Sequence, residues 1–210
     1  MHIPDGFLDA KTWITLNVVS AGVLGYAIRN VSKKIGEKHI PLIGVMSAFI
    51  FACQMLNFPV AGGTSGHFMG GALSAILLGP FAGLLVMSTV LIVQCLIFQD
   101  GGLTALGANI FNMGIIGTIF SYWFYVLIRK IFGQKSFVVS VFIVSWFAIV
   151  VSASFCALEL AISGTVPLKV ALPAMAGVHS LIGIGEGIIT VLTLSFINKI
   201  RPDLMDIEKI

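Results

Sequence analysis

The first two residues of the chain, Met1 and His2, offer three nitrogen atoms that one metal ion can bind together. These are the α-amine of Met1, the backbone nitrogen of His2 and Nδ1 of the His2 ring. The amine and the backbone nitrogen close a five-membered chelate ring, and the backbone nitrogen and Nδ1 close a six-membered one. Such an arc of nitrogens suits square-planar Ni²⁺ or Cu²⁺. Most proteins with a polar second residue bind no metal there, so the rest of the chain must support this hypothesis.

The chelate requires Met1 to stay at the amino terminus. Terminal methionine is usually removed only before a small residue, and His2 is not small. Residues 1–9 lack the basic start of a secretory signal peptide, and no small-residue cleavage motif follows the first apolar stretch. We therefore expect no signal peptide and a free Met1 amine.

His67 is the natural fourth ligand, because three nitrogens occupy three corners of a square and one imidazole completes it. The alternative is a loop histidine that caps the helix beginning at Phe68. The other histidines are weaker candidates. His39 lies among lysines and is expected to be solvated at the membrane interface. His179 lies in an apolar stretch, where it either contacts the ligand path or makes a hydrogen bond between helices.

Polar residues near these ligands are candidates for supporting roles: Asp5, Asn57, Asp100 and Asn109. Asp5 lies in the turn sequence Pro4-Asp5-Gly6. It either folds the N-terminal segment back or holds the His2 ring by its second nitrogen. Asn57 and Asn109 lie near the ends of apolar stretches, where they can brace the neighbouring loops.

The composition indicates a membrane protein. Hydrophobic residues make up 58% of the 210 residues and charged residues only 10%, whereas soluble domains carry roughly 25% charged residues. Such a chain is typical of a polytopic protein with a single membrane domain. The three cysteines lie in apolar stretches and are expected to be small buried hydrophobic residues rather than disulfides or metal ligands: Cys53, Cys95 and Cys156.

Apolar stretches predict an all-α bundle of about seven transmembrane helices, at residues 12–28, 40–58, 67–78, 81–98, 108–128, 137–163 and 172–198. Gly79-Pro80 divides the long stretch 67–98, because proline cannot continue the helical hydrogen-bond ladder. The 67–78 helix is too short to span alone and is expected to dip into the membrane while buried in protein.

The distribution of positive charge predicts the orientation. With seven spans, ten of the twelve Lys and Arg residues fall on one side, so the positive-inside rule predicts an outer amino terminus and an inner carboxyl terminus. Residues 1–11 then form a metal-binding segment, 12–198 the bundle and 199–210 a cytoplasmic tail. The glycine-rich loops 60–67 and 99–107 meet the amino terminus on the outer face, which indicates a small-ligand pocket.

Several catalytic motifs are missing from this sequence. Without GxxxxGK[ST] the chain is not expected to hydrolyse ATP, and without GxSxG or HExxH it is not expected to be an enzyme. The sequence shows no convincing internal repeat, which argues against a secondary transporter built from inverted repeats. The alternative function is a self-sufficient divalent-metal channel or ion-coupled carrier, whose path is lined by His179, Glu159 and Glu186. The two glutamates have no evident cationic partner and are expected to be protonated or to face partner subunits.

Three motifs of the chain resemble those of the CbiM/NikM family: MHIPDGFLD at residues 1–9, AGGTSGHFMGGAL at 61–73 and QDGGLTALGANIFNMG at 99–114. Its members are the substrate-capture membrane subunits of energy-coupling factor transporters for cobalt and nickel. The resemblance covers essentially the whole chain. It implies an S-component-like bundle with an extra N-terminal helix, and a metal ion bound by the Met1 amine, both His2 nitrogens and His67.

The resemblance also implies partners and a location. The partners are a transmembrane coupling subunit of the CbiQ/NikQ type, ATPase subunits of the CbiO/NikO type and a small accessory membrane subunit, all in the cell membrane of a prokaryote. The expected substrate is Ni²⁺ or Co²⁺, and the family links the chain to cobalamin biosynthesis. The loop at 61–71 looks closer to nickel-type members, and square-planar coordination by a backbone nitrogen also favours Ni²⁺. One departure is that some cobalt-type members carry a signal peptide before this start.

Overall fold

The computed structural model describes residues 1–34, 40–60, 64–133 and 136–209 of the chain, which are mainly helical. The helices are α1 (Ala10–Lys34), α2 (Ile40–Gln54), α3 (Gly71–Leu78), α4 (Pro80–Phe98), α5 (Leu106–Asn109), α6 (Ser121–Phe132), α7 (Phe137–Ile162) and α8 (Leu168–Ile200). A π-helical segment, Ile110–Phe120, joins α5 and α6 into one continuous helix, and a 3₁₀ helix, Pro202–Lys209, follows α8. Strands β1 (Asn57–Val60) and β2 (Thr64–His67) form an antiparallel hairpin.

Among the described residues, five helices are long and apolar enough to cross a membrane: α1, α4, the continuous helix 106–132, α7 and α8. Two further apolar helices are shorter, α2 with 15 residues and α3 with 8. An apolar helix therefore lies in each of the seven stretches predicted from the sequence, but only five have the length of a span. The chain is a multi-pass membrane protein, and the count of seven spans and their direction stay predictions.

The predicted break at Gly79-Pro80 is confirmed. Helix α3 ends at Leu78 and α4 begins at Pro80. Proline is favoured at the first position of a helix, because a backbone N–H there would have no partner within the helix. Gly79 adopts a φ of 89°, which glycine tolerates without a steric penalty. All eight residues of α3 are buried, so this short helix is covered by protein, as the sequence predicts for a segment that cannot span alone.

The apolar stretch predicted as a helix over 40–58 ends earlier in the structure. Helix α2 stops at Gln54, and β1 pairs with β2 so that Asn57 lies opposite His67. The glycines in this region favoured a loop in the sequence and gave no sign of strand pairing. Residues 61–63 lie outside the described residues, and so does His39, whose place at the membrane interface stays a prediction.

The N-terminal segment, residues 1–9, is threaded into one end of the bundle. Met1 and Ile3 have no exposed surface, and His2 is only 3% exposed. The Asn109 side-chain amide makes two hydrogen bonds to the backbone of Ile3. Its Oδ1 accepts the Ile3 N–H at 2.8 Å, and its Nδ2 donates to the Ile3 carbonyl at 3.2 Å. The N–H of Gly102 donates to the same carbonyl at 2.8 Å. These contacts fix the position of the chain start inside the protein.

Two loops hold the rest of the N-terminal segment. The Asp5 carboxylate accepts the backbone N–H groups of Leu103 at 3.0 Å and Thr104 at 2.7 Å, both in the loop after α4. The hydroxyl of Thr165, in the loop after α7, donates to the backbone oxygen of Phe7. The loops after α4 and α7 therefore meet the N-terminal segment at the same end of the bundle.

Candidate metal centre

The nitrogens predicted to bind metal lie close together around the buried amine. The Met1 amine lies 3.4 Å from Nε2 of His67, although 66 positions separate the two residues. The rings of His2 and His67 stack with their centroids 4.8 Å apart. The amine also donates to the backbone oxygen of Ser65 and lies 3.3 Å from its hydroxyl. We call the Met1 amine, His2 and His67 the nitrogen cluster.

Contacts on the far side of each ring indicate which nitrogen carries the proton. Nε2 of His2 lies 3.0 Å from Oε1 of Gln94 on α4, and Nδ1 of His67 lies 2.6 Å from the backbone oxygen of Phe68. Both partners are acceptors, so these two ring nitrogens are the donors. Nδ1 of His2 and Nε2 of His67 are then unprotonated and carry lone pairs that can bind a metal ion.

Asp100 adds a carboxylate beside the nitrogen cluster. Its Oδ1 lies 3.3 Å from Nδ1 of His2, and its buried Oδ2 has no hydrogen-bond partner in the described part of the chain. With the His2 proton on Nε2, an unprotonated nitrogen faces a carboxylate oxygen. That arrangement is unfavourable unless a proton or a cation lies between the two atoms. Either a proton or a cation satisfies both atoms, and the Ser65 hydroxyl also lies 3.4 Å from Nδ1.

Burial keeps the nitrogen cluster unprotonated at neutral pH. Desolvation lowers the pKa of the Met1 amine from 8.0 to about 5, and it lowers the pKa of His2 from 6.5 to about 3, with the nearby amine adding to the effect. Burial, and then the amine, hold the pKa of His67 well below 6.5. Burial raises the pKa of Asp100, while the amine opposes this shift. Neutral nitrogens are the form that binds metal.

Side chains alone do not form a metal site in the described ranges. Within residues 1–34, 40–60, 64–133 and 136–209, no group of three or more His, Cys, Asp or Glu side chains is placed to hold an ion. A site with three or four protein ligands in these ranges must therefore use other atoms. The amine of Met1 and the backbone nitrogen of His2 are such atoms.

An open pocket of about 720 Å³ lies beside the nitrogen cluster and has His2 in its wall. Asp5 and Asp100 also line it, so the wall carries two carboxylates. A cleft lined by negative charge concentrates cations near its surface. The pocket therefore gives a small cation access to the His2 side of the cluster.

Three of the predicted supporting residues lie around the nitrogen cluster in different ways. Asp100 contacts the His2 ring directly. Asn109 makes two hydrogen bonds to the backbone of Ile3, the residue that follows His2. Asn57 is exposed on β1, opposite His67 in the hairpin, and lines the pocket. None of these positions tests a role in metal binding, which stays a prediction.

Asp5 takes the first of its two predicted roles, because its carboxylate holds the loop after α4 and so folds the N-terminal segment back. The second role, at the far nitrogen of the His2 ring, belongs to Gln94 instead. Gln94 could not be assigned this role from the sequence. A glutamine in an apolar helix is expected to make a buried hydrogen bond, but the sequence does not show with which residue. The position of Gln94 near the carboxyl-terminal end of α4, just before the loop at 99–107, was the available signal.

The two glutamates within the helices face the interior of this chain, so the expectation that they face partner subunits is wrong. Glu186 is 1% exposed, and its carboxylate accepts the N–H groups of Met69 at 2.7 Å and Gly70 at 2.8 Å. Glu159 is 6% exposed and accepts a hydrogen bond from Nδ2 of Asn112 at 2.7 Å. Glu186 is thus satisfied at both oxygens, whereas Oε1 of Glu159 has no hydrogen-bond partner in the described part of the chain.

His179 is fully buried on α8, and its Nδ1 lies 2.7 Å from the backbone oxygen of Met175, one turn earlier. This bond stays within one helix, but the ring also interacts with the Ser65 backbone and with the Met1 amine, so His179 lies beside the nitrogen cluster and a contact with the ligand path stays a prediction. The three cysteines are free, as predicted, with Cys95 and Cys156 buried and Cys53 partly buried.

The sequence of this chain is similar to those of known transport proteins. Residues 2–204 match the family model CbiM, described as the cobalt uptake substrate-specific transmembrane region. The chain is 46% identical over 208 residues to a putative fused nickel transport protein NikMN of Archaeoglobus fulgidus, a match that covers 98% of this chain and 68% of that protein. A putative metal transport protein of Haloquadratum walsbyi is 40% identical, over 98% of this chain and 93% of its own length.

Solved structures share the fold. A crystal structure of a transition metal transporter matches with a TM-score of 0.89 at 35% identity, over 95% of this chain and 93% of that one. A truncated form of a transition metal transporter matches with a TM-score of 0.88, over 95% of this chain and 99% of its own. Since the family model spans almost the whole sequence, the chain belongs to the CbiM family of cobalt uptake substrate-specific transmembrane regions.

Proposed function

We propose that this chain is the substrate-binding membrane subunit of an ATP-driven transporter of the energy-coupling factor type, and that it imports Ni²⁺. One observation carries the proposal above all others. The buried Met1 amine lies beside two imidazoles whose ring protons are directed away from it, toward Gln94 and the Phe68 carbonyl. Relatives named as nickel transport proteins and as cobalt transport proteins support a transition metal as the substrate.

Four nitrogens bind the substrate ion in this proposal: the Met1 amine, the backbone nitrogen of His2, His2 Nδ1 and His67 Nε2. The first three close consecutive five- and six-membered chelate rings, and His67 completes the plane. Binding replaces the hydrogen bond from the amine to Ser65 and releases the His2 amide proton. Asp100 balances part of the positive charge from its position 3.3 Å from Nδ1.

This ligand set favours Ni²⁺ over Co²⁺. Four nitrogens in a plane, one of them a deprotonated backbone amide, match the square-planar preference of Ni²⁺ and Cu²⁺. Cobalt transport by relatives makes Co²⁺ the natural competitor. We expect the purified protein to bind Ni²⁺ more tightly than Co²⁺ when the two ions compete.

Transport requires partners in this proposal. The sequence has no phosphate-binding motif, so ATP hydrolysis falls to a pair of ATPase subunits that act through a transmembrane coupling subunit. The fused nickel transport protein of Archaeoglobus is longer than this chain, which matches 68% of its length. A small accessory membrane subunit is a further partner in this proposal. The assembly lies in the cell membrane of a prokaryote, with the nitrogen cluster facing outward.

Two changes test the ligand set directly. His67→Ala removes one of the four nitrogens, and one extra residue before Met1 turns the amine into an amide. Supporting residues of metal sites typically contribute 10- to 100-fold in affinity, so the loss of a ligand is expected to weaken Ni²⁺ binding by more than about 100-fold. Isothermal titration calorimetry of the purified protein measures this loss.

Two matched changes provide the controls. One extra residue after Ile210 adds the same mass at the other terminus, and His39→Gln alters a histidine outside the proposed ligand set. Both proteins are expected to bind Ni²⁺ like the unmodified chain. Unchanged affinity in the protein with a blocked amine would contradict the ligand set. A paramagnetic spectrum of the Ni²⁺-loaded protein would contradict the planar geometry, because square-planar Ni²⁺ is diamagnetic.

A further inference from the structure

Two glutamine side chains connect the His2 ring to the backbone just before α3. Oε1 of Gln94 lies 3.0 Å from Nε2 of His2, and Nε2 of Gln94 donates to Oε1 of Gln54 at 2.9 Å. Nε2 of Gln54 donates to the backbone oxygen of Met69 at 2.6 Å. Both glutamines have no exposed surface, so bulk water does not compete for these groups. The three hydrogen bonds form one chain from the ring to a carbonyl, which we call the glutamine relay.

The carbonyl at the end of the glutamine relay determines the direction of every bond in it. A glutamine amide has a donor end and an acceptor end, and a half turn exchanges them. A backbone carbonyl only accepts, so Gln54 must point its NH₂ group at Met69 and its oxygen at Gln94. Gln94 must then donate to Gln54 and offer its own oxygen to His2. The proton of the neutral His2 ring must therefore be on Nε2.

Asp100 favours the opposite arrangement. Its Oδ1 lies 3.3 Å from Nδ1 of His2, and a carboxylate attracts a ring proton to the nitrogen that faces it. A proton on Nδ1 would occupy the lone pair that the proposed metal site needs. One ring proton therefore has two competing acceptors, Gln94 on one side and Asp100 on the other. The Ser65 hydroxyl, 3.4 Å from Nδ1, can donate to that nitrogen when the proton is on Nε2.

The carbonyl of Met69 is held firmly in place. The Glu186 carboxylate accepts the N–H groups of both Met69 and Gly70, so the backbone between β2 and α3 is fixed from the opposite side. The preceding carbonyl, of Phe68, accepts the proton of the His67 ring. Two successive carbonyls thus orient the two rings, one directly and one through the glutamine relay.

We propose that Gln54 and Gln94 are positioning residues that keep the proton of His2 on Nε2 and so leave Nδ1 free to bind the metal ion. Gln54 makes no contact with His2 and acts only by fixing the direction of the Gln94 amide. The proposal rests on the proposed function, because a free Nδ1 matters only if it is a ligand. It assigns the metal site two residues near the carboxyl-terminal ends of apolar helices, Gln54 on α2 and Gln94 on α4.

Nuclear magnetic resonance of the metal-free protein with ¹⁵N-labelled histidine rings tests the proposal. Protonated and unprotonated ring nitrogens have well-separated shifts, and the His2→Gln variant identifies the His2 signals. We expect Nε2–H in the natural protein. Gln54→Leu frees the Gln94 amide to turn, so part of the His2 population should carry its proton on Nδ1, and Gln94→Leu should shift more of it. A His2 proton on Nδ1 in the natural protein, or an unaltered His2 spectrum in Gln54→Leu, overturns the proposal.

His67 provides an internal control, since its proton is fixed by the Phe68 carbonyl and should stay on Nδ1 in each variant. Gln54→Glu provides the conservative rescue. Its carboxyl group still accepts from Gln94, so His2 should keep Nε2–H even if the protein becomes less stable. Loss of Nε2–H in Gln54→Glu counts against the relay. If Gln54→Leu does not fold, Gln54→Glu and the natural protein still decide the outcome.

The Ni²⁺ affinity of the Gln54→Leu variant distinguishes a failure of the glutamine relay from a failure of the proposed function. We expect Gln54→Leu to weaken Ni²⁺ binding about 10- to 100-fold, the usual effect of a residue that orients a ligand. If the His2 tautomer changes in Gln54→Leu while Ni²⁺ affinity does not, the relay is supported and the use of Nδ1 as a ligand is refuted. If the tautomer does not change, the relay fails, whatever the affinity.

Discussion

Burial gives the Met1 amine a chemistry that an exposed amino terminus lacks. Its pKa falls from 8.0 to about 5 because the charged form is desolvated. An exposed amine is largely protonated at pH 7, and a metal ion must displace that proton. The buried amine is already neutral there, as are the rings of His2 and His67, whose pKa values are also lowered. Metal binding at neutral pH therefore costs no proton from these three groups.

This difference predicts the pH dependence of metal binding. Above about pH 6 the only proton to be released comes from the His2 amide, so the logarithm of the Ni²⁺ affinity should rise by about one per pH unit. As the pH falls through about 5 the amine takes up a proton, and the slope should steepen toward two. Calorimetry in buffers of different ionisation enthalpy counts the released protons. A slope near two between pH 6 and 8 would contradict the lowered amine pKa, and a flat profile would contradict amide coordination.

The sequence predicts some residues of the site better than others. Met1, His2 and His67 can be chosen from their chemistry alone, because their nitrogens suit one metal geometry. Gln54 and Gln94 cannot, since their effect depends on an amide direction that is set by the distant carbonyl of Met69. The two possible roles of Asp5 were separated only by the contact it makes with the loop after α4.

At the scale of the elements, α3 packs so closely on the π-helical segment that no side chain fits between them. A Cβ atom on Gly71 would lie 2.5 Å from the backbone oxygen of Gly117, and backbone cannot give way as a flexible side chain can. Gly71→Ala is therefore expected to lower the free energy of unfolding by roughly 1–3 kcal/mol. The thermal unfolding midpoint of the purified protein in detergent measures the change.

Gly25 on α1 is the matched control for this substitution. A Cβ atom there would meet nothing within 4 Å, and alanine is the better helix former. Gly25→Ala should leave the unfolding midpoint unchanged or raise it slightly. Equal losses in both variants would indicate a general intolerance of alanine in these helices, and would contradict the close contact between α3 and the π-helical segment.

The sequence also predicts some elements better than others. Apolar stretches and the proline after Gly79 locate the helices, because hydrophobicity and proline geometry act locally. The hairpin of β1 and β2 was missed because it is stabilised by contacts with the distant chain start, such as the bond from the Met1 amine to Ser65. The π-helical geometry of Ile110–Phe120 has no pattern of its own in an apolar stretch.

At the scale of the whole molecule, most basic residues of the described helices lie at the end of the bundle opposite the nitrogen cluster, whereas Lys11 and Lys169 lie at the same end as the cluster. The continuous helix 106–132 and α8 both start beside the N-terminal segment and run away from it. The far end of the continuous helix carries Arg129 and Lys130, and the far end of α8 carries Lys199 and Arg201. Helix α1 carries Arg29 and Lys33 near its own far end. This separation supports the prediction that the cluster faces outward.

The same arrangement predicts what the chain does alone in a lipid bilayer. Glu186, which would line the path of a self-sufficient channel, instead accepts two N–H groups of the backbone before α3, and Glu159 accepts from Asn112 through one of its two oxygens. Liposomes containing only this chain are therefore expected to take up no Ni²⁺ above background. Liposomes that also contain the coupling and ATPase subunits should take up Ni²⁺ only when ATP is supplied. The same assembly with His67→Ala controls for leakage, since it should keep its subunits and lose the uptake. Uptake by the chain alone would favour the channel or ion-coupled carrier, because no nucleotide-driven step is then needed to move the ion inward.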